Sequence, residues 1–166
     1  MVHYDSIGEK KLNKRKIIVY VVSIMVVELL GFVVGMATKA GTALYAESIV
    51  KPPLAPPGIV FPIAWTILYC LMAVGFARVL LNENRTNRAV LLFLTQLTLN
   101  LMWCFIFFTA QAYIAAFIEL VIMLIIVILM SCEFSEIDRI AGILQIPYII
   151  WLCFAAYLNM GVILLN

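Results

Sequence analysis

Five stretches of about 20 or more mostly apolar residues, joined by short connections, take up nearly the whole of this 166-residue chain. A helix of about 20 such residues crosses a hydrocarbon core of about 30 Å. The chain is 66% hydrophobic and 12% charged, against about 45–50% and about 25% for soluble domains. Lipid must therefore solvate much of its surface. These features predict an all-α, polytopic membrane protein, a bundle of five transmembrane helices, with no room for a second, soluble domain.

A polar tail, residues 1–16, precedes the membrane domain, residues 17–166, and is expected to be mobile and cytoplasmic. The first span is expected over Ile17 to Ala37, too long for a signal-peptide core of about 7–15 residues. The connection over residues 38–57 is the longest and is read as a loop. It ends in Lys51-Pro52-Pro53-Leu54-Ala55-Pro56-Pro57-Gly58, where prolines remove backbone donors. The second span is expected over Ile59 to Leu81, with Pro62 tolerated in its first turn. The third and fourth, Ala89 to Thr109 and Gln111 to Ser131, should form a tight hairpin. A polar turn over Glu133 to Arg139 leads to the fifth, Ile140 to Leu164.

Nine of the Lys and Arg residues fall on one side of this arrangement: five in the tail, then Arg78, Arg85, Arg88 and Arg139. Only Lys39 and Lys51 fall on the other. The positive-inside rule puts the tail and both polar turns in the cytoplasm, and the proline-rich loop and C-terminus outside. A net charge of +2 gives no general basic surface for nucleic acid. The cysteines Cys70, Cys104, Cys132 and Cys153 form no CxxC pair, and the one histidine, His3, lies in the tail. The expected metal set is accordingly none, and no cofactor is required.

Polar side chains inside a span mark helix contacts or cavities. Gln96, Asn100 and Trp103 follow at i, i+4 and i+7, on one helical face. Two readings fit: hydrogen bonding between helices, or the polar lining of a ligand cavity. Glu28 and Glu119 lie within spans without an evident Lys or Arg partner. The simpler reading is a neutral carboxyl hydrogen-bonded to a neighbouring helix; the other is a proton-coupled role. Gly31 and Gly35 make a GxxxG step that serves packing within one chain or dimerisation equally.

The tryptophans lie deeper than an interfacial belt. Trp65, Tyr69 and Met72 share one face of the second span; Pro147, Trp151, Ala155 and Leu158 share one of the fifth. If these faces converge, they form an aromatic slot beneath the proline-rich loop, suited to a flat, greasy, conjugated ligand, with Asn100 or Gln96 giving a directional contact. Ordinary aromatic packing is the alternative.

Three motifs carry a resemblance. The segment Lys51 to Gly58 followed by Phe61 and Trp65-Thr66-Ile67-Leu68-Tyr69 resembles KPxW/FxPP…F…WTxLY. Gln96-Leu97-Thr98-Leu99-Asn100-Leu101-Met102-Trp103 with Phe107-Phe108 resembles QLxLNxxW…FF. Pro147-Tyr148-Ile149-Ile150-Trp151, Phe154-Ala155 and Leu158-Asn159 resemble PYxxWxxFAxxLN. They occur in the order, and on the helices, of the TspO/MBR translocator family. The resemblance covers about residues 40–166. It implies a five-helix bundle, often a homodimer, with a cavity beneath the first loop that binds porphyrins such as protoporphyrin IX, benzodiazepine- and isoquinoline-type drugs and, in eukaryotic members, cholesterol. Carried over to this sequence, the implied ligand-binding positions are Trp65, Asn100, Trp103, Trp151, Ala155 and Leu158, with Tyr45 and Pro56 contributing to a lid; the shared helical face adds Gln96 as a ligand-binding candidate. Glu119 resembles an acidic residue that the family often places early in its fourth helix.

The chain departs from the pattern at Leu44-Tyr45, where the family commonly has Trp-Tyr, and at Leu54, where it has an aromatic. Both changes thin the lid. The C-terminal aromatic-basic cholesterol motif of animal members is absent. The expected function is a sensor or transporter for porphyrin-like ligands in a bacterial cell membrane. Two alternatives are light- and oxygen-dependent protoporphyrin degradation, in which Trp65 and Trp151 would be the oxidisable indoles, and a proton-coupled carrier using Glu28 and Glu119.

Overall fold

The computed structural model describes residues 2–166, with side chains from residue 13 onward; the expectations for His3 and for the basic residues Lys10 and Lys11 fall outside those side chains. The described residues form helices α1 (Val2–Ala37), α2 (Lys39–Ser48), α3 (Val60–Leu80), α4 (Asn87–Cys104), α5 (Tyr113–Ile137), α6 (Arg139–Ile143) and α7 (Ile146–Leu165), with a π-helical turn, Phe105–Thr109, continuing α4. No strand occurs among them. Five segments are long and apolar enough to span a membrane: Asn13–Ala37, Val60–Leu80, Asn87–Thr109, Tyr113–Ile137 and Arg139–Leu165. The protein is a five-span integral membrane protein.

Around the bundle, α1 packs along α3 and touches α4, α4 packs along α5, and α5 packs along α7. The backbones of α3 and α7 approach each other little. Rings rather than close backbone contact fill that gap. Met72, Leu120, Met123, Tyr148 and Leu152 form the fully buried centre. Large apolar side chains on the outside, such as Met25 and Phe32 of α1, are about two-thirds exposed and belong in hydrocarbon. The glycine step of α1 divides in two. A Cβ on Gly31 would collide with the Tyr69 ring, whereas one on Gly35 would meet nothing within 4 Å. Gly31 thus serves packing within the chain.

α1 begins at Val2 rather than at the expected Ile17, so it continues through the stretch read as a tail, and beyond α1 the boundaries differ from expectation in three places. The first connection is not wholly loop: after a one-residue break at Thr38, good helix formers in Lys39–Ser48 form α2. Its Tyr45 ring packs on Phe107 and Phe108, with centroids 5.3 and 5.6 Å apart. The turn expected over Glu133 to Arg139 is mostly helix. α5 runs on to Ile137 because Glu133, buried at 7% exposure, is matched by the Thr86 hydroxyl at 2.6 Å and by Arg88 at 3.3 Å. Only Asp138 leaves the helix, and its carboxylate accepts from the Ile140 and Ala141 N–H groups to cap α6. Finally, the fifth span is broken after Ile143. Pro147 in the first turn of α7 has no N–H to continue α6 into it.

The tight hairpin between the third and fourth spans is present. The π-helical turn closes with the Ala110 N–H on the Phe105 carbonyl at 2.8 Å, and Gln111 takes a positive φ of 51° to reverse the chain.

Candidate functional site

At mid-bundle, one amide joins three helices. Asn100 of α4, 2% exposed, accepts a hydrogen bond from the Tyr69 hydroxyl of α3 at 2.8 Å. Its Nδ2 donates to the Tyr148 hydroxyl of α7 at 2.9 Å, and that hydroxyl in turn meets Met123 Sδ of α5 at 3.4 Å. A primary amide both donates and accepts, so a single Asn can bridge two phenols. Gln96, one turn away on the same face, is fully buried, and neither its Oε1 nor its Nε2 has a protein partner.

Aromatic rings rise from this network toward the end of the bundle that carries the proline-rich loop. Trp65 lies 5.3 Å from Tyr69, 6.1 Å from Tyr148 and 6.3 Å from Trp151, meeting the last two edge to face. Phe61 and Phe154 flank Trp151 at 6.0 and 5.8 Å. Trp65 and Trp151 are both half-buried. The expected convergence of the second and fifth spans is therefore present. Its centre on α7 is Tyr148 rather than Pro147, which is exposed. Ala155 packs against the same core and Leu158 is buried further along α7.

Trp103 belongs to a neighbouring cluster. It stacks on Phe107 at 4.6 Å and meets Phe108 edge-on at 5.8 Å, while Tyr45 covers those two phenylalanines from α2. Its Nε1 is buried without a partner. Burial first, and the nearby Tyr113 second, push the Tyr45 phenol above its ordinary value. Trp103 also touches the main core, so the two clusters adjoin.

The proline-rich loop is fastened to α7. Tyr157 donates to the Pro53 carbonyl at 2.7 Å, and the Asn166 amide exchanges hydrogen bonds with the Val50 backbone at 3.0 and 3.2 Å. Pro52 is buried against Gly161, where a Cβ would collide with it. Pro56 is half-buried within the loop.

The two carboxyls in the spans differ. Glu28 of α1 accepts from the Cys70 thiol of α3 at 3.2 Å, as the reading of a carboxyl bonded to a neighbouring helix expects. Glu119 has both oxygens buried and unpartnered. No group of three or more metal-ligating side chains occurs among the described residues.

The residues that build this candidate site and that the sequence reading passed over are Tyr148, Tyr157 and Asn166. Tyr148 was legible as part of the Pro147-Tyr148 motif. The other two carry no local signal, because their partners lie more than 100 positions away.

Comparison with known proteins agrees with this architecture. Residues 23–165 match the model of the TspO/MBR family. The tryptophan-rich protein TspO of Chlorobaculum tepidum is 36% identical over 139 residues, covering 82% of this chain and 88% of that protein. That of Archaeoglobus fulgidus is 33% identical, covering 88% and 95%. The translocator protein of Ovis aries is 29% identical, covering 68% and 69%. On its five-span bundle, its motifs and these matches, this chain belongs to the TspO/MBR family.

Proposed function

We propose that this protein is a membrane sensor or translocator that binds flat, hydrophobic, porphyrin-like ligands between Trp65 and Trp151, above the Asn100 network and beneath the proline-rich loop. The observation that carries the reading is the pairing of two half-buried indoles between α3 and α7, whose backbones approach each other little. A planar ligand stacked on both needs carbon contacts of about 3.5–4.0 Å on each face. Rings whose centroids lie 6.3 Å apart, at 81° to each other, must turn to admit it. Neither is locked by full burial. Trp103 and Leu158 extend the lining, Ala155 keeps one wall thin, and Tyr45 and Pro56 close the top. Gln96 offers a free buried amide to the polar edge of a ligand.

The charge pattern further supports a cytoplasmic N-terminus and an outward proline-rich loop in a bacterial cell membrane. The open Gly35 position supports a homodimer through α1.

The test is titration of the purified protein with protoporphyrin IX, in the dark and then under light, following indole fluorescence and the porphyrin spectrum. Saturable quenching that Trp65→Phe or Trp151→Phe weakens at least tenfold is the expected result. A new absorbing product in light, abolished by the same variants, would favour porphyrin degradation instead. Proton-coupled flux in liposomes that needs Glu28 or Glu119 would favour a carrier. No specific binding in either condition overturns the porphyrin reading.

A further inference from the structure

We infer that the groove between the end of α3 and the start of α4 is a binding site for one acidic phospholipid. It encloses about 420 Å³ and is lined by Leu80, Arg85, Asn87, Val90, Leu91 and Leu94. Its chemistry is split along its length. Leu91 and Leu94, 65% and 51% exposed, lie one and two turns into the span and require an apolar neighbour. Arg85, in the polar turn, and Asn87, the first residue of α4, line its other end. An occupant must therefore carry an acyl chain on one end and a hydrogen-bond-accepting anion on the other.

The local charges leave Arg85 available. The other two arginines near this turn are engaged: Arg78 with Asp138 at 2.8 Å and Arg88 with Glu133 at 3.3 Å. Among the described residues Arg85 has no carboxylate within ion-pair distance, although Glu83 is exposed in the same turn. A guanidinium presents a planar fork that matches two phosphate oxygens. This groove lies at the end of the bundle that holds nine of the eleven basic residues. Basic pockets between spans at such an end recognise acidic headgroups. No residue of α1 lines it: the lining comes from the end of α3, the turn and the start of α4. Only a second copy whose two-fold axis passed through this groove would cover it, and that would set Arg85 against its own counterpart.

The experiment measures thermal unfolding of the detergent-purified full chain against added phosphatidylglycerol, phosphatidylcholine or inorganic phosphate. Phosphatidylglycerol should raise Tm saturably and phosphatidylcholine should not. Arg85→Gln should weaken the apparent affinity about fivefold, the effect of one basic side chain near a headgroup. Arg85→Lys should retain most of it, and Arg139→Gln, at the same end on α6, should leave it unchanged. Equal shifts with both lipids, reproduction by inorganic phosphate, or equal losses in Arg85→Gln and Arg139→Gln would each overturn the site. So would a cross-linked dimer that buries Leu91 and excludes the lipid.

Discussion

At the scale of single residues, the interior turns on two amides one turn apart that face opposite situations. Asn100 is fully used by Tyr69 and Tyr148. Its removal strands the Tyr69 hydroxyl, while Tyr148 keeps Met123 Sδ. A stranded buried polar group costs about 1–3 kcal/mol, so Asn100→Ala should lower stability by that amount, read as Tm in detergent; an unchanged Tm would mean that the phenols find other partners. Gln96 is the reverse case, with two buried polar atoms that no protein group matches. Gln96→Leu removes that burden at similar volume. It should leave Tm unchanged or raise it, yet weaken porphyrin binding, the pattern of a residue kept for function against stability. A fall in Tm with unaltered binding would place Gln96 in the packing alone. Both amides were legible in the sequence, because a polar residue in an apolar run stands out. Their different roles were not, since spacing alone cannot say which partner faces Asn100 across the bundle. Tyr148 was missed as the centre of α7 for the same reason. The face read there began at Pro147, one residue and hence about 100° from Tyr148.

At the scale of elements, the spans were legible to within a few residues, whereas the pieces that join them were not. α2 has a mixed composition that reads as loop, and its placement depends on Tyr45 meeting Phe107 and Phe108. α5 outruns its apolar run because Thr86, which caps α4, and Arg88, in its first turn, satisfy Glu133. Asp138 ends that helix and ties three elements: it caps α6 and pairs with Arg78 of α3. Burial alone would raise its carboxyl pKa, but the Arg78 hydrogen bond and the Ala141 and Ile140 N–H groups outweigh it and hold the group below the usual 3.8. A depressed carboxylate stabilises the fold fully above its unfolded pKa and loses that contribution as pH falls through the folded value. The Tm advantage of the parent over Asp138→Asn should therefore be constant near neutrality and shrink below about pH 4. An advantage that persists unchanged at pH 3 would assign the effect to shape rather than charge.

For the whole molecule, the slot and its cover are coupled through α7. The same helix carries Tyr148 and Trp151 inside and holds the loop outside, through Tyr157 on Pro53, Asn166 on Val50 and the seat of Pro52 against Gly161. Within that loop Leu54 sits at φ 65°, a conformation that costs an ordinary residue about 1–2 kcal/mol. Its strain opposes the ties, each worth about 0.5–1.5 kcal/mol as a neutral hydrogen bond. The loop is thus held by a small margin, which suits the opening that the proposed function asks of it. Breaking the Pro53 tie with Tyr157→Phe should raise the open population by roughly two- to tenfold. Amide hydrogen exchange at Ala55, whose N–H bonds to the Pro52 carbonyl at 3.2 Å, should accelerate by the same factor. Release of a bound porphyrin should quicken in parallel, with its equilibrium quenching amplitude little altered, because the indoles themselves are untouched. Unchanged exchange in that variant would show that Pro52 packing on Gly161, not the hydrogen bonds, holds the cover. Faster exchange without faster release would mean that the ligand leaves sideways between α3 and α7, where the backbones approach each other little.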